Sequence, residues 1–237
     1  MGDRSGTDKA ALWPTPRFPV SVAAATEEAT MIKLWGRSTS SNVMKVIWLL
    51  EELRLPYERV DVGGAFGGTS TPEYRAMQPL GLVPALQDGD LSLFESNAIL
   101  RYLCNAHAPD SPLFPAASHA RATVDSWMDF QQTALNRPQG VVFQGLIRTA
   151  PEQRDQAAIA RAVEEASEIW GILDARLAKQ AYVTGAAFSI ADIPWGVHAH
   201  RWLNMEFARK PFAHLQAWYE RLLQRPPYKA HCAGKIA

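Results

Sequence analysis

The sequence predicts an α/β unit followed by an all-helical one. Between residues 31 and 107, apolar residues switch between strand-like alternation and helical spacing; beyond residue 120 only the helical spacing recurs. Between the two lies APDSPLFPAASHA (108 to 120), whose three prolines mark a linker. The expected organisation is an extension over residues 1–30, an α/β domain over 31–107, a linker over 108–119 and a helical domain over 120–237.

Each element has its own signal. MIKLW (31–35) alternates as a short strand, and SNVMKVIWLLEEL carries Val43, Val46, Ile47, Leu50 and Leu53 on one helical face. Pro56 closes that helix, and YERVDV supplies a second strand. GGAFGG (63–68) is a loop: a phosphate cradle needs GK[ST] or a helix opened by the glycines, and neither is present. TPEYRAM gives a short helix with Pro72 in its first turn. LVPAL and LSLF are strands joined across a turn containing Asp88-Gly89, a hairpin signal, and ESNAILRYLCNAH is a helix. The order β-α-β, helical connection, β-β-α resembles the thioredoxin-like fold. In the second half, Val124, Trp127, Met128, Gln131 and Leu135 share a face. A long amphipathic helix is opened by Pro151. Ser189-x-x-Asp192 is a capping-box variant in which each side chain satisfies the other's backbone N–H. KPFAHLQAWYERLLQR is the last helix, stopped by Pro226-Pro227.

Composition narrows the function classes. Acidic and basic residues balance at 24 each among 237 residues, so no global field attracts nucleic acid or anionic lipid. No apolar run approaches the ~20 residues of a membrane span. Cys104 and Cys232, the only cysteines, form no CxxC pair, so disulfide, zinc and dithiol motifs lack support and a reducing compartment is expected. His198 and His200 diverge on a helix and make a poor metal pair. Residues 1–30, rich in Pro, Ala and Thr, have neither secretory nor transit character and read as a flexible extension, with the folded unit beginning near Met31.

SSNVMKVIWLLEELRLPYERV, TPEYRAMQPLGLVPALQDG, LFESNAILRYL and FSIADIP are similar, in order and at matching separations, to the cytosolic glutathione transferases, most of all to serine-type members near the theta and phi classes and their bacterial relatives. The resemblance runs from residue 31 to about 230. It implies a cytoplasmic homodimer with glutathione as co-substrate, no metal, and a small hydrophobic electrophile as partner.

The resemblance also implies roles. A hydroxyl at the start of the first helix stabilises the glutathione thiolate. A free thiol has a pKa near ~8.5, and lowering it by ~2 units takes only ~2.7 kcal/mol, within reach of a hydroxyl donor plus a helix N-terminus. By position that hydroxyl is Ser40; Ser41 is then the expected N-cap, with Ser38 and Thr39 in the loop. Asn42 either orients the thiolate or belongs to the helix start. Val83, before an expected cis Pro84, pairs by backbone with the cysteinyl part of glutathione. Glu95 meets the γ-glutamyl ammonium and Ser96 its carboxylate. Two departures stand out: Gln78-Pro79 replaces the family's frequent Asn-Pro, and the glycine loop offers no cation for the glycyl carboxylate. Arg37 serves either ligand or is a surface arginine. The electrophile site is expected along Trp127, Phe130, Gln131 and Leu135, with Trp202 added, although aromatics at that spacing also make core. Alternatives to conjugation are glutathione-dependent reductive dehalogenation or reduction, and a non-catalytic binding protein on the same fold.

Overall fold

The computed structural model describes residues 31–236, so the expectations for residues 1–30 lie outside the described residues. Four strands form one mixed sheet in the order β2-β1-β3-β4. β1 (Ile32–Trp35) runs parallel to β2 (Tyr57–Val60), with Ile32 opposite Tyr57, and antiparallel to β3 (Ala85–Asp88), with Trp35 opposite Ala85. β4 (Leu91–Phe94) pairs antiparallel with β3 around the predicted Asp88-Gly89 turn. Helices α1 (Ser41–Leu53), α2 (Pro72–Met77) and α3 (Ser96–His107) complete the thioredoxin-like half. Thr71 caps α2 by accepting the Tyr74 N–H at 3.3 Å.

The second half is helical throughout: α4 (Ser118–Phe130), α5 (Asn136–Phe143), α6 (Gln156–Leu177), α7 (Asp192–Asn204), α8 (Ala213–Leu223) and α9 (Pro226–His231). Three details differ from the sequence expectation. Pro151 opens only one 3₁₀ turn; α6 starts at Gln156, where Asp155 Oδ1 accepts the Ala158 N–H at 2.9 Å. Pro226-Pro227 stop α8 but also begin α9, because proline suits a first helical turn. α4 runs into α5 through a π-helical segment, Gln131–Leu135, and α5 ends in a second one, Gln144–Arg148. Pro138 has no N–H to return to the Ala134 carbonyl, a direct reason for the wider turn before α5.

One core joins the halves. α1 is buried almost all round, with Val43, Val46, Trp48, Leu49 and Leu50 at 0% exposure, because it packs on α3, α7 and α9 at once. Trp48 stacks against Tyr228 of α9 at 4.6 Å and Phe188 at 5.4 Å between ring centroids. The expected capping box at the start of α7 is half as predicted. Asp192 Oδ2 accepts the Ser189 N–H at 2.9 Å, but Ser189 Oγ accepts from Ala191 rather than from Asp192. The other Asp192 oxygen takes the Val183 N–H and the Trp218 indole N–H, each at 2.9 Å.

Candidate active site

Ser40, not Ser41, is the N-cap of α1: its φ and ψ are −79° and 127°, and its carbonyl accepts the Met44 N–H at 2.9 Å. Ser41 is the first helical residue. A serine in this place ordinarily turns its hydroxyl onto a first-turn N–H, but Ser40 makes no such bond. Ser40 lines a cleft of about 670 Å³ beside an N-terminus with positive dipole character.

The predicted glutathione residues gather around this point. Ser96, buried at the start of α3, donates to Asn42 Oδ1 at 3.3 Å, tying the N-termini of α1 and α3 together. Glu95, the α3 N-cap, is exposed and sits at φ 67°, uncommon for a residue with a Cβ. An outlier of this kind at a helix start is a pointer to function. The Val83-Pro84 bond is cis, and among the described residues Val83's N–H and C=O enter no turn or loop hydrogen bond. Gly36 makes the approach possible: at φ 151°, a Cβ there would stand 2.5 Å from Val43 and 3.3 Å from Val83. Val83, Pro84, Glu95, Ser96 and Asn42 do not line the cleft itself, which opens on the Arg37 and Ser40 side.

The glycine loop has a specific use. Arg37 lies across it: a Cβ on Gly63 would be 3.2 Å from the Arg37 Nη1, and one on Gly64 3.2 Å from its Cδ. The loop is a bed for a guanidinium, and Arg37 belongs to the cleft rather than to open surface.

The electrophile residues expected from sequence are elsewhere. Trp202 is fully buried, against Trp170 and Phe207. Trp127 and Phe130 pack edge-on with each other and on Trp195, and the Arg176 guanidinium covers the Trp127 ring at 4.5 Å. Gln131 is fully buried and accepts a hydrogen bond from Lys45 Nζ at 3.4 Å. None of the four lines the cleft. Trp127, Phe130 and Gln131 share the α4 face that packs into the core, and Trp202 joins that core from α7, the alternative that aromatics at helical spacing always carry. The helical half instead presents Gln139, Phe143, Arg148, His198 and Arg201.

The electrostatics of that wall are distinctive. Arg201 donates to the Thr39 carbonyl at 3.1 Å and lies over Phe143 at 4.2 Å; Arg148 approaches the same ring at 5.6 Å. Burial, then Arg148 and Arg37, bring the Arg201 pKa down to about 10. His198, 4% exposed, is held far below the ordinary imidazole range by burial, Lys45 and Arg201. It is therefore neutral, and neither ring nitrogen has a partner among the described residues. Behind the cleft Lys45 is wholly buried, and that burial lowers its pKa to about 7 against the opposing pull of Glu95. Lys45 was visible in sequence as the one charge inside VMKVIWLL; the arginines, far apart along the chain, gave no such signal.

Sequence comparison matches residues 30–105 to the N-terminal domain of glutathione S-transferase and residues 156–221 to its C-terminal domain. The chain is 41% identical over 198 residues to glutathione S-transferase GstB of Escherichia coli K12, covering 83% of this chain and 95% of that one. It is 32% identical over 211 residues to glutathione S-transferase 4 of Zea mays, covering 87% and 92%. The theta class glutathione S-transferase of Xanthomonas axonopodis pv. citri, solved with glutathione bound, superposes with a TM-score of 0.83 at 44% identity, covering 87% of this chain and 99% of the other.

Proposed function

Because this chain belongs to the glutathione S-transferase family, we propose that it conjugates glutathione to an electrophile, with Ser40 as the residue that stabilises the attacking thiolate. The supporting observation is the Ser40 hydroxyl, uncommitted to its own helix, at an N-terminus that opens on the cleft. Hydroxyl donation and the helix dipole both favour thiolate over thiol. Glutathione binds along residues 31–107, with Val83 pairing by backbone. Glu95 and Ser96 hold the γ-glutamyl end, and Arg37 on its glycine bed takes the glycyl carboxylate. The helical residues 120–237 form the wall facing the electrophile. A protein thiol is poorly placed to share the work: Cys104 is buried, with its pKa pushed up to about 12, and Cys232 is buried and raised by the same cause. Conjugation is thus favoured over thiol exchange through the protein.

Ser40→Ala tests the assignment. The pKa of bound glutathione, followed by the ultraviolet absorbance of the thiolate, rises by about 1–2 units, and kcat near neutral pH falls by roughly 10- to 100-fold. Unchanged values for both remove Ser40 from its role. The described helices include none long and apolar enough to cross a membrane, and with two free buried cysteines we place the enzyme in the cytoplasm. The α/β half also exposes Phe66, Leu80, Leu82 and Phe94 at 60%, 69%, 57% and 42%, an apolar surface that suits a homodimer. Sedimentation at twice the chain mass is the expected result; a monomer at micromolar concentration overturns it.

A further inference from the structure

The wall opposite Ser40 is built for negative charge. Arg148 and Arg201 share the Phe143 ring, at 5.6 and 4.2 Å, and Arg37 faces them closely enough to act on Arg201. Among the described residues, no carboxylate lies within ion-pair distance of any of the three, and no Asp or Glu lines the cleft. Guanidinium groups held together without a counter-ion repel one another, and Arg201 is additionally desolvated. Such a cluster is offset when an anion enters, and a planar carboxylate matches a guanidinium in two parallel hydrogen bonds. A second, independent observation points the same way. His198 is 96% removed from solvent, it lines the cleft, and both of its ring nitrogens lack partners. Buried polar groups are normally paired, so a cleft-wall imidazole with both nitrogens buried and unpaired is a group that a bound polar ligand would satisfy.

Glutathione does not account for all of this. Its γ-glutamyl end belongs at Glu95 and Ser96 and its glycyl carboxylate at Arg37, on the α/β side. Arg148, Arg201 and His198 come from the helical side and face the other reactant.

We propose that the preferred electrophile is an anion, a small molecule carrying a carboxylate that Arg148 and Arg201 receive while its reactive carbon faces Ser40. The inference rests on the transferase reading above. For an aryl chloride the step balances simply: the glutathione thiolate forms the C–S bond, the C–Cl bond breaks, and chloride leaves with the electron pair. Nothing is oxidised or reduced, and the carboxylate is carried through unchanged.

The test uses the full chain, glutathione, and a matched pair, 4-chloro-3-nitrobenzoate and 4-chloro-3-nitrobenzamide, each corrected for its uncatalysed rate. The acid is expected to show a kcat/KM enhancement at least about tenfold above the amide, falling as ionic strength rises while the amide's does not. Arg148→Gln, a change at an exposed position, lowers the acid's kcat/KM about tenfold and the amide's by less than about twofold. An amide turned over as well as the acid, or an Arg148→Gln effect equal on both, overturns the anionic substrate while leaving the transferase intact. Failure of the chain to bind glutathione in calorimetry overturns the transferase reading and this proposal with it.

Discussion

Lys45 is a lysine with no route to water, held inside the molecule by a hydrogen bond to Gln131 and the nearby charge of Glu95. Burial opposes its charged form, so its folded pKa of about 7 lies below the ~10.4 of an unfolded lysine. The sign follows directly. Below pH 7 the folded protein carries the full cost of a buried ammonium. Between about pH 7 and pH 10 the unfolded chain holds the extra proton, so stability from this group rises with pH. Lys45→Met is therefore expected to be more stable than wild type near neutral pH, by an amount that shrinks towards about pH 10. Urea unfolding across that range checks it, and a pH-independent difference would sink the idea. That a residue with this cost persists behind Ser40 and Glu95 fits a role in the site's charge balance rather than in folding.

Asp192 shows how one side chain fixes an element. Both oxygens are used, by Val183 N–H, Ser189 N–H and hydroxyl, and the Trp218 indole, and burial still raises its pKa to about 6. Asp192→Ala leaves those buried donors without an acceptor and is expected to cost about 3–5 kcal/mol, read as a lowered urea midpoint at constant m-value. This element was legible in the sequence because Ser189-x-x-Asp192 is a local pattern. The sheet and α1 were legible for the same reason: alternation and helical spacing act over a few residues. Motif order singles out Ser40, Val83 and Glu95 as candidates, whereas the expected cap Ser41 is the first helical residue and Ser40 provides the cap. The helical wall of the cleft was not legible. Phe143 lies beyond one π segment and Arg148 ends a second, so the 3.6-residue count that found Val124 and Met128 does not carry to them, and His198 and Arg201 come from α7. Arg148 and Arg201 meet on one ring only because α5 and α7 are neighbours, which no local spacing reports.

For the whole molecule, stability is shared across the two halves. Glu52 of α1 receives Arg225 in a two-bond pair at 2.7 Å each, next to the Trp48 and Tyr228 contact. Gly196 on α7 is what lets α1 come so near: a Cβ there would lie 2.8 Å from both Trp48 and Leu222. Gly196→Ala is expected to destabilise the protein by about 1–3 kcal/mol through overpacking, despite alanine's better helix propensity. Thermal unfolding of the variant checks it, and a rise in Tm would contradict it. The hydrogen bond from Arg201 to the Thr39 carbonyl extends this sharing to the chemistry, since it joins residues 162 apart in sequence immediately before Ser40. The two halves are therefore not interchangeable modules. A chimera that grafts another helical half onto residues 31–107 would keep every glutathione contact proposed above. It would still lose the strut that holds the serine loop, so recombining relatives at the linker calls for exchanging that loop together with its arginine.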